Sequence, residues 1–263
     1  MNDTIISLTT IPRRLNTCLP NVIKSIKSQT IQCKILINIP IKYKKWNDEI
    51  TIPEYLIDDD IIIFRTVKDY GPATKLLGAV EYLNKNNITN IRNIITIDDD
   101  MIYSDIHHIE KLNTMSNIFP KYIITYSGIK LGNFPYRYQN GLIYNNLGFV
   151  DVPAGFFGVV YPVSCLKDAN DYLQDDFIST LPPGVFNDDD AFFGIAFSVA
   201  NIPIYSCMGD IVLNVEPTND GGSAVSEHVT KYRCDNESEL FQFAVMKSYL
   251  PNKYTLNTTR HQT

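Results

Sequence analysis

No apolar run in this 263-residue chain approaches the length that spans a bilayer, and no charged N-terminal segment leads into an apolar one. The expectation is therefore a cytoplasmic chain without a transmembrane span. Basic residues are also scarce: 23 Lys and Arg stand against 29 Asp and Glu, for a net charge of -6. That balance argues against nucleic acid as a partner, because phosphate contacts need a basic face. The five cysteines are scattered and form no CxxC, so they read as reduced, structural thiols. Without secretion, the sequons at Asn87, Asn236 and Asn257 carry no meaning. Neither GxGxxG nor GxxxxGK[ST] occurs, which removes the dinucleotide fingerprint and the P-loop. A nucleotide bound here would need a metal for much of its phosphate neutralisation.

What is present is an ordinary globular composition, 44% hydrophobic and 11% aromatic, long enough for one large core. The stretch that orders the chain is Ile94-Ile95-Thr96-Ile97 followed by Asp98-Asp99-Asp100. The apolar run predicts a strand buried on both faces, as in a parallel sheet. Three adjacent carboxylates at its end repel one another and call for a cation. A hard dication with oxygen ligands, Mn2+ or Mg2+, answers that need.

The same tripeptide occurs twice more, which provides internal controls. Asp58 to Asp60 precedes the strand Ile61 to Phe64 and reads as a solvated turn. Asp188 to Asp190 precedes a helical run from Ala191, where one Asp serves as cap and the other two need a further reason.

Along the first half, strands are expected at Thr4–Leu8, Lys34–Ile39, Ile61–Phe64, Ile94–Ile97 and Lys121–Tyr126. Helices are expected at Leu19–Gln29, Thr74–Asn84 and Ile106–Ile118. That alternation predicts βαβ units, a mainly parallel sheet and a Rossmann-like layer. Val152 to Tyr161 reads as a strand crossing beneath the site, with glycines that let a ligand approach the backbone. A helix to about Asn201 and a strand at Pro203–Ser206 follow. The expected organisation is one domain over 1–263: a nucleotide-binding half over 1–127, a loop-rich half over 128–235, and a closing helix and tail over 236–263.

Several loops carry candidate chemistry. The segment leaving the first strand offers the hydroxyls of Thr9 and Thr10 and the cations Arg13 and Arg14, which surface solvation explains equally well. In Lys68-Asp69-Tyr70-Gly71-Pro72-Ala73-Thr74-Lys75, Asp69 can accept from a base or ribose and Lys75 can reach a phosphate; a helix start is the plain alternative. Aromatic residues at 134–138 and 144–149 suit carbohydrate stacking or simple lobe packing. The polar, glycine-bearing loop at 217–228 is suited to closing over a ligand, and His228 within it can add a nitrogen to a metal.

Three elements in this order resemble one family: nucleotide-sugar-dependent glycosyltransferases of the GT-A fold, nearest to its family-2-like members. They are Ile5-Ile6-Ser7-Leu8-Thr9-Thr10-Ile11-Pro12, the DxD-type Asp98-Asp99-Asp100 after a strand, and Asp189-Asp190 opening a helix. The resemblance implies a metal-dependent transfer of a sugar from a UDP-sugar to a glycan or glycoconjugate. It implies that Asp98 lies near the ribose while Asp100 binds the metal; with the loop candidates, the expected nucleotide-binding set is Thr9, Thr10, Pro12, Arg14, Asp69, Lys75, Asp98 and Asp99, and the expected metal ligands are Asp98, Asp100 and His228. It implies that Asp190, or else Asp189, is the general base of an inverting enzyme. The usual acidic motif at that point is Glu-Asp rather than Asp-Asp, which leaves the base open. A sugar-phosphate nucleotidyltransferase would carry a glycine in the Thr9–Arg14 loop, and none is there. A catalytically inactive sugar-binding module is the remaining alternative.

Overall fold

The computed structural model describes residues 3–46, 50–129, 144–145, 147–182, 188–207 and 215–218, with the backbone alone at 144–145. The first half alternates as expected: β1 (Thr4–Thr9), α1 (Leu19–Lys27), β2 (Lys34–Pro40), β3 (Ile61–Thr66), α2 (Thr74–Lys85) and β4 (Asn93–Thr96). A short β5 (Met101–Tyr103) and α3 (His108–Ile118) precede β6 (Ile123–Thr125), β7 (Gly128–Ile129) and β8 (Tyr144–Asn145). The rest comprises β9 (Gly148–Val150), β10 (Val152–Pro153), β11 (Val159–Pro162), α4 (Val163–Asp168) and α5 (Asp175–Ile178). Last come α6 (Asp189–Val199), β12 (Ile204–Ser206) and β13 (Val215–Pro217).

Eight strands form one sheet in the order β3-β2-β1-β4-β11-β6-β12-β9. Pairing is parallel from β3 through β4 and again between β6 and β12; β11 and β9 run antiparallel to their neighbours. This is an α/β fold with a mostly parallel sheet between helices. Successive strand residues enter opposite layers: Ile5 and Ile94 pack with α2 and α6 residues, whereas Ile6 and Ile95 pack with residues of α1 and α3. Two buried faces explain why the strands are continuously apolar rather than alternating. Burying each such isoleucine stabilises the fold by roughly 1.5–3 kcal/mol.

The run from Val152 to Tyr161 is not the single strand that its composition suggests. It breaks into β10, a 3-10 turn at Gly155–Phe157, and β11. Gly158 closes that turn with φ +87°, a backbone angle that residues with a Cβ rarely adopt. The strand after the break inserts antiparallel between β4 and β6. Around Phe149, the aromatic residues pack on one another: its ring lies edge-on to Tyr205 at 5.4 Å and to Tyr122 at 5.6 Å. The aromatics at 134–138, the loop from residue 219 to His228, and the closing helix and tail lie outside the described residues. Among the described residues, no helix is long and apolar enough to cross a membrane, and Cys18, Cys165 and Cys207 are free thiols.

Candidate functional site

The strand order reverses direction around β1, which lies between β2 and β4. In open α/β sheets, the crevice at such a point, outside the carboxyl ends of the strands, is where ligands bind. Two loops leave the sheet there. From β1 comes the 3-10 turn Pro12–Asn16, which carries Arg14. From β4 comes Asp98 to Asp100, held to β1 by Ile97 N–H donating to the Ser7 carbonyl at 3.1 Å.

Arg14 is the partner of the triplet. Its Nη1 lies 2.5 Å from Asp99 Oδ1 and its Nη2 lies 2.7 Å from Asp100 Oδ2, with the guanidinium side chain only 10% exposed. Surface solvation of Arg14 is thereby set aside, while Arg13 is exposed. Burial would lower the affinity of Arg14 for its proton, but Asp99 and Asp100 raise it above the ordinary arginine value. Burial raises Asp99 despite Arg14. Asp100 is pushed up to about 6, by burial first and by the charge of Asp98 second, against the pull of Arg14. The requirement for a cation inferred from the sequence is thus met in part by the protein itself.

Lys75 supplies the other charge. Its Nζ donates to Asp98 Oδ1 at 2.5 Å and forms an ion pair with Asp189 Oδ2 at 2.9 Å. Burial opposes its protonation, but Asp189, Asp98 and Asp190 together hold it well above the usual lysine range. Its ammonium is therefore engaged by carboxylates rather than turned outward.

At the start of α6 the three aspartates divide their roles. Asp188 is the cap, accepting from Ala191 N at 3.0 Å. Asp189 pairs with Lys75. Asp190 makes no ion pair among the described residues; its Oδ1 and Oδ2 accept from the Gly155 amide at 3.1 and 3.0 Å. Its side chain keeps some accessible surface, yet burial is the largest influence on it. Burial and then the charge of Asp189 raise its proton affinity well above the ordinary carboxylate range. Gly155 makes the contact possible: a Cβ there would sit 2.5 Å from Asp190 Oδ1. The glycine makes room for a side chain of the protein, where the sequence suggested room for a ligand.

A buried polar chain fixes this glycine turn to the acidic loop. Tyr103 Oη donates to the Phe156 carbonyl at 3.2 Å and accepts from Asp98 N at 3.3 Å. Fully buried His108 contacts the Phe157 carbonyl at 2.7 Å through Nε2, which must carry the proton because a carbonyl only accepts. Burial lowers His108 from 6.5 to about 4. Between those values the unfolded chain binds the extra proton. This group's stabilisation is therefore complete above pH 6.5 and falls by up to about 3 kcal/mol toward pH 4. His108→Gln keeps a donor for the carbonyl and does not titrate. Urea unfolding of that variant should show a shallower loss of stability across pH 6.5 to 4; an unaltered slope would count against this role.

The remaining sequence-derived candidates lie around this centre. Thr9 donates to the Asn38 carbonyl at 2.8 Å, and the Thr10 carbonyl accepts from Tyr43 Oη at 2.6 Å. Pro12 opens the turn that presents Arg14. Asp69 is buried and ties two loops together, its Oδ2 accepting from Lys44 N at 2.7 Å and its Oδ1 from Gly71 N at 2.8 Å. His228 lies outside the described residues. Sequence reasoning missed the ties from Lys75 to Asp189 and from Gly155 to Asp190, together with the roles of Tyr103 and His108. Only the Gly155–Gly158 pair signalled any of these. A separate hollow of about 530 Å3, lined by Asp3, Leu83, Arg92 and Leu166 among others, includes none of these carboxylates.

No protein-family model and no curated protein matches the sequence. Among solved structures, S. aureus TarS 1-349 aligns over 78% of this chain and 57% of its own, with a TM-score of 0.49 and 10% identity. TarS 1-349 in complex with UDP-GlcNAc aligns over 78% and 55%, with a TM-score of 0.48 and 11% identity. The chain thus spans little more than half the length of these structures. The similarity lies in the course of the backbone and carries no ligand across.

Proposed function

We propose that this chain is a GT-A-type glycosyltransferase. In this reading it moves a sugar from a nucleotide donor, UDP-linked, to a glycan or glycoconjugate acceptor, with inversion and with Asp190 as general base. The observation that carries the reading is the pairing of two acidic sites: a carboxylate triplet at the switch point of the sheet, and Asp190, outside any ion pair among the described residues and joined to the triplet through Lys75 and the Gly155 turn.

The triplet fits a hard dication. Asp98 and Asp100 are its accessible members, with side chains 29% and 28% exposed, and the charge of one raises the proton affinity of the other. Mg2+ and Mn2+ typically take one or two carboxylates plus substrate phosphates, so two such side chains suffice. Among the described residues no three His, Cys, Asp or Glu side chains form a ready-made cage. Asp98 and Asp100 would hold the ion, which when bound supplies positive charge to the diphosphate. Arg14 keeps the triplet together in the free protein. Asp69 retains lone pairs for the base or ribose.

In the transfer step the acceptor oxygen attacks the anomeric carbon, and the bond from that carbon to the diphosphate oxygen breaks with its electron pair. The acceptor proton passes to Asp190, whose raised proton affinity makes it a stronger proton acceptor than an ordinary carboxylate.

A thermal-shift panel of nucleotide sugars with and without Mn2+ tests the reading. A donor at about one hundred times its dissociation constant adds about 2.7 kcal/mol. Asp100→Ala should lose the Mn2+-dependent part of that shift and remain folded; an unchanged shift would remove Asp100 from the metal site. Slow release of free sugar distinguishes a transferase from an inactive sugar-binding module.

A further inference from the structure

Lys75 reaches the site from the first turn of α2, and that turn is pinned to the sheet. Ser7 Oγ donates to the Lys75 carbonyl at 2.5 Å, and Asn38 Nδ2 donates to Ser7 Oγ at 2.8 Å. With its side chain 4% exposed, Lys75 places its ammonium between a carboxylate of the β4 loop and one of α6. The Gly155 turn encloses it further, since a Cβ on Gly155 would lie 3.3 Å from Nζ. A lysine whose task was to meet an incoming phosphate would be expected to keep its end group accessible. This one is enclosed and holds two carboxylates that belong to different parts of the chain.

We propose that Lys75 is a positioning residue: it ties Asp189 to Asp98, and so holds α6 with Asp190 against the Gly155 amide and outside any ion pair among the described residues. This inference rests on the reading of the site as a glycosyltransferase centre. Asp189 is then the anchored member of the pair and Asp190 the working one. Removing the ammonium leaves Asp98, Asp189 and Asp190 crowded without their shared counter-charge. The start of α6 must then shift, and a displacement of even 1 Å at a reacting group costs about 10²-fold in rate.

The test compares the wild type, Lys75→Met, Asp189→Asn and the double variant by kcat and donor KM for UDP-sugar turnover, and by melting temperature. Lys75→Met should lower kcat about 10²-fold with little change in donor KM. Adding Asp189→Asn removes one of the orphaned charges and should recover about tenfold of that loss, together with part of the melting temperature. Asp189→Asn alone, in which Lys75 keeps Asp98, should fold and lose about tenfold in kcat at unchanged KM. That single variant decides the matter if Lys75→Met does not fold. A raised donor KM at constant kcat in Lys75→Met would make the residue a phosphate contact and overturn the proposal. Losses that simply multiply in the double variant, or an unaltered kcat in Asp189→Asn, would overturn it too. If the wild type neither binds UDP with Mn2+ nor turns over, the glycosyltransferase reading fails by itself. Recovery of the melting temperature in the double variant would still report whether Lys75 links the two carboxylates.

Discussion

Asp190→Asn should leave donor binding intact and lower the transfer rate by about 10²–10⁴-fold, the usual contribution of a positioned general base. The substitution is nearly isosteric, and an amide oxygen can still accept from the Gly155 N–H that the carboxylate meets at 3.0 and 3.1 Å. The start of α6 therefore stays in place while the proton acceptor disappears. The direction of the pH dependence follows from the environment of Asp190. Burial and the neighbouring Asp189 raise its proton affinity, so activity falls as pH drops through that raised value and Asp190 becomes protonated. Calorimetric titration of UDP with Mn2+, run beside a transfer assay, separates binding from turnover. Transfer at the wild-type rate in this variant would place the base elsewhere, with Asp189 the first alternative.

Arg14→Met should destabilise the protein by about 3–5 kcal/mol, because removing one partner of a buried ion pair leaves its charges uncompensated. Here two carboxylates lose their counter-ion together: Asp99, whose side chain is 7% exposed, and Asp100. For a chain of this size, such a loss corresponds to a fall in melting temperature of about 10 °C. Mn2+ should restore more stability to this variant than it adds to the wild type, since it replaces the missing positive charge. A loss below about 1 kcal/mol would show that water reaches the triplet freely and that Arg14 is not its counter-ion.

The fold was legible because its strands are unbroken apolar runs, as sequences buried on both faces must be. Ile94 to Ile97 and the helical spacing of Leu19, Val22, Ile23 and Ile26 leave little choice. Capping was equally legible, with Asp188 the residue that accepts from the helix backbone. What could not be read is what depends on tertiary approach. Lys75 and Asp189 are remote in sequence, and no local pattern announces that an ammonium bridges them. The antiparallel insertion of β11 follows from a glycine turn whose composition also suits a continuous strand. Arg14 sits beside Arg13 in a polar loop, and only the fold tells the buried one from the exposed one.

The tripeptide Asp-Asp-Asp before β3 lies on the surface, where Lys27 meets Asp58 at 2.5 Å and Lys34 meets Asp60 at 2.8 Å with half-exposed side chains. Its twin after β4 meets a guanidinium inside the protein. Ionic strength therefore treats two identical tripeptides in one chain differently. At about 1 M salt the Debye length shrinks to about 3 Å, so the outer pairs fade while the inner one, shielded from mobile ions, persists.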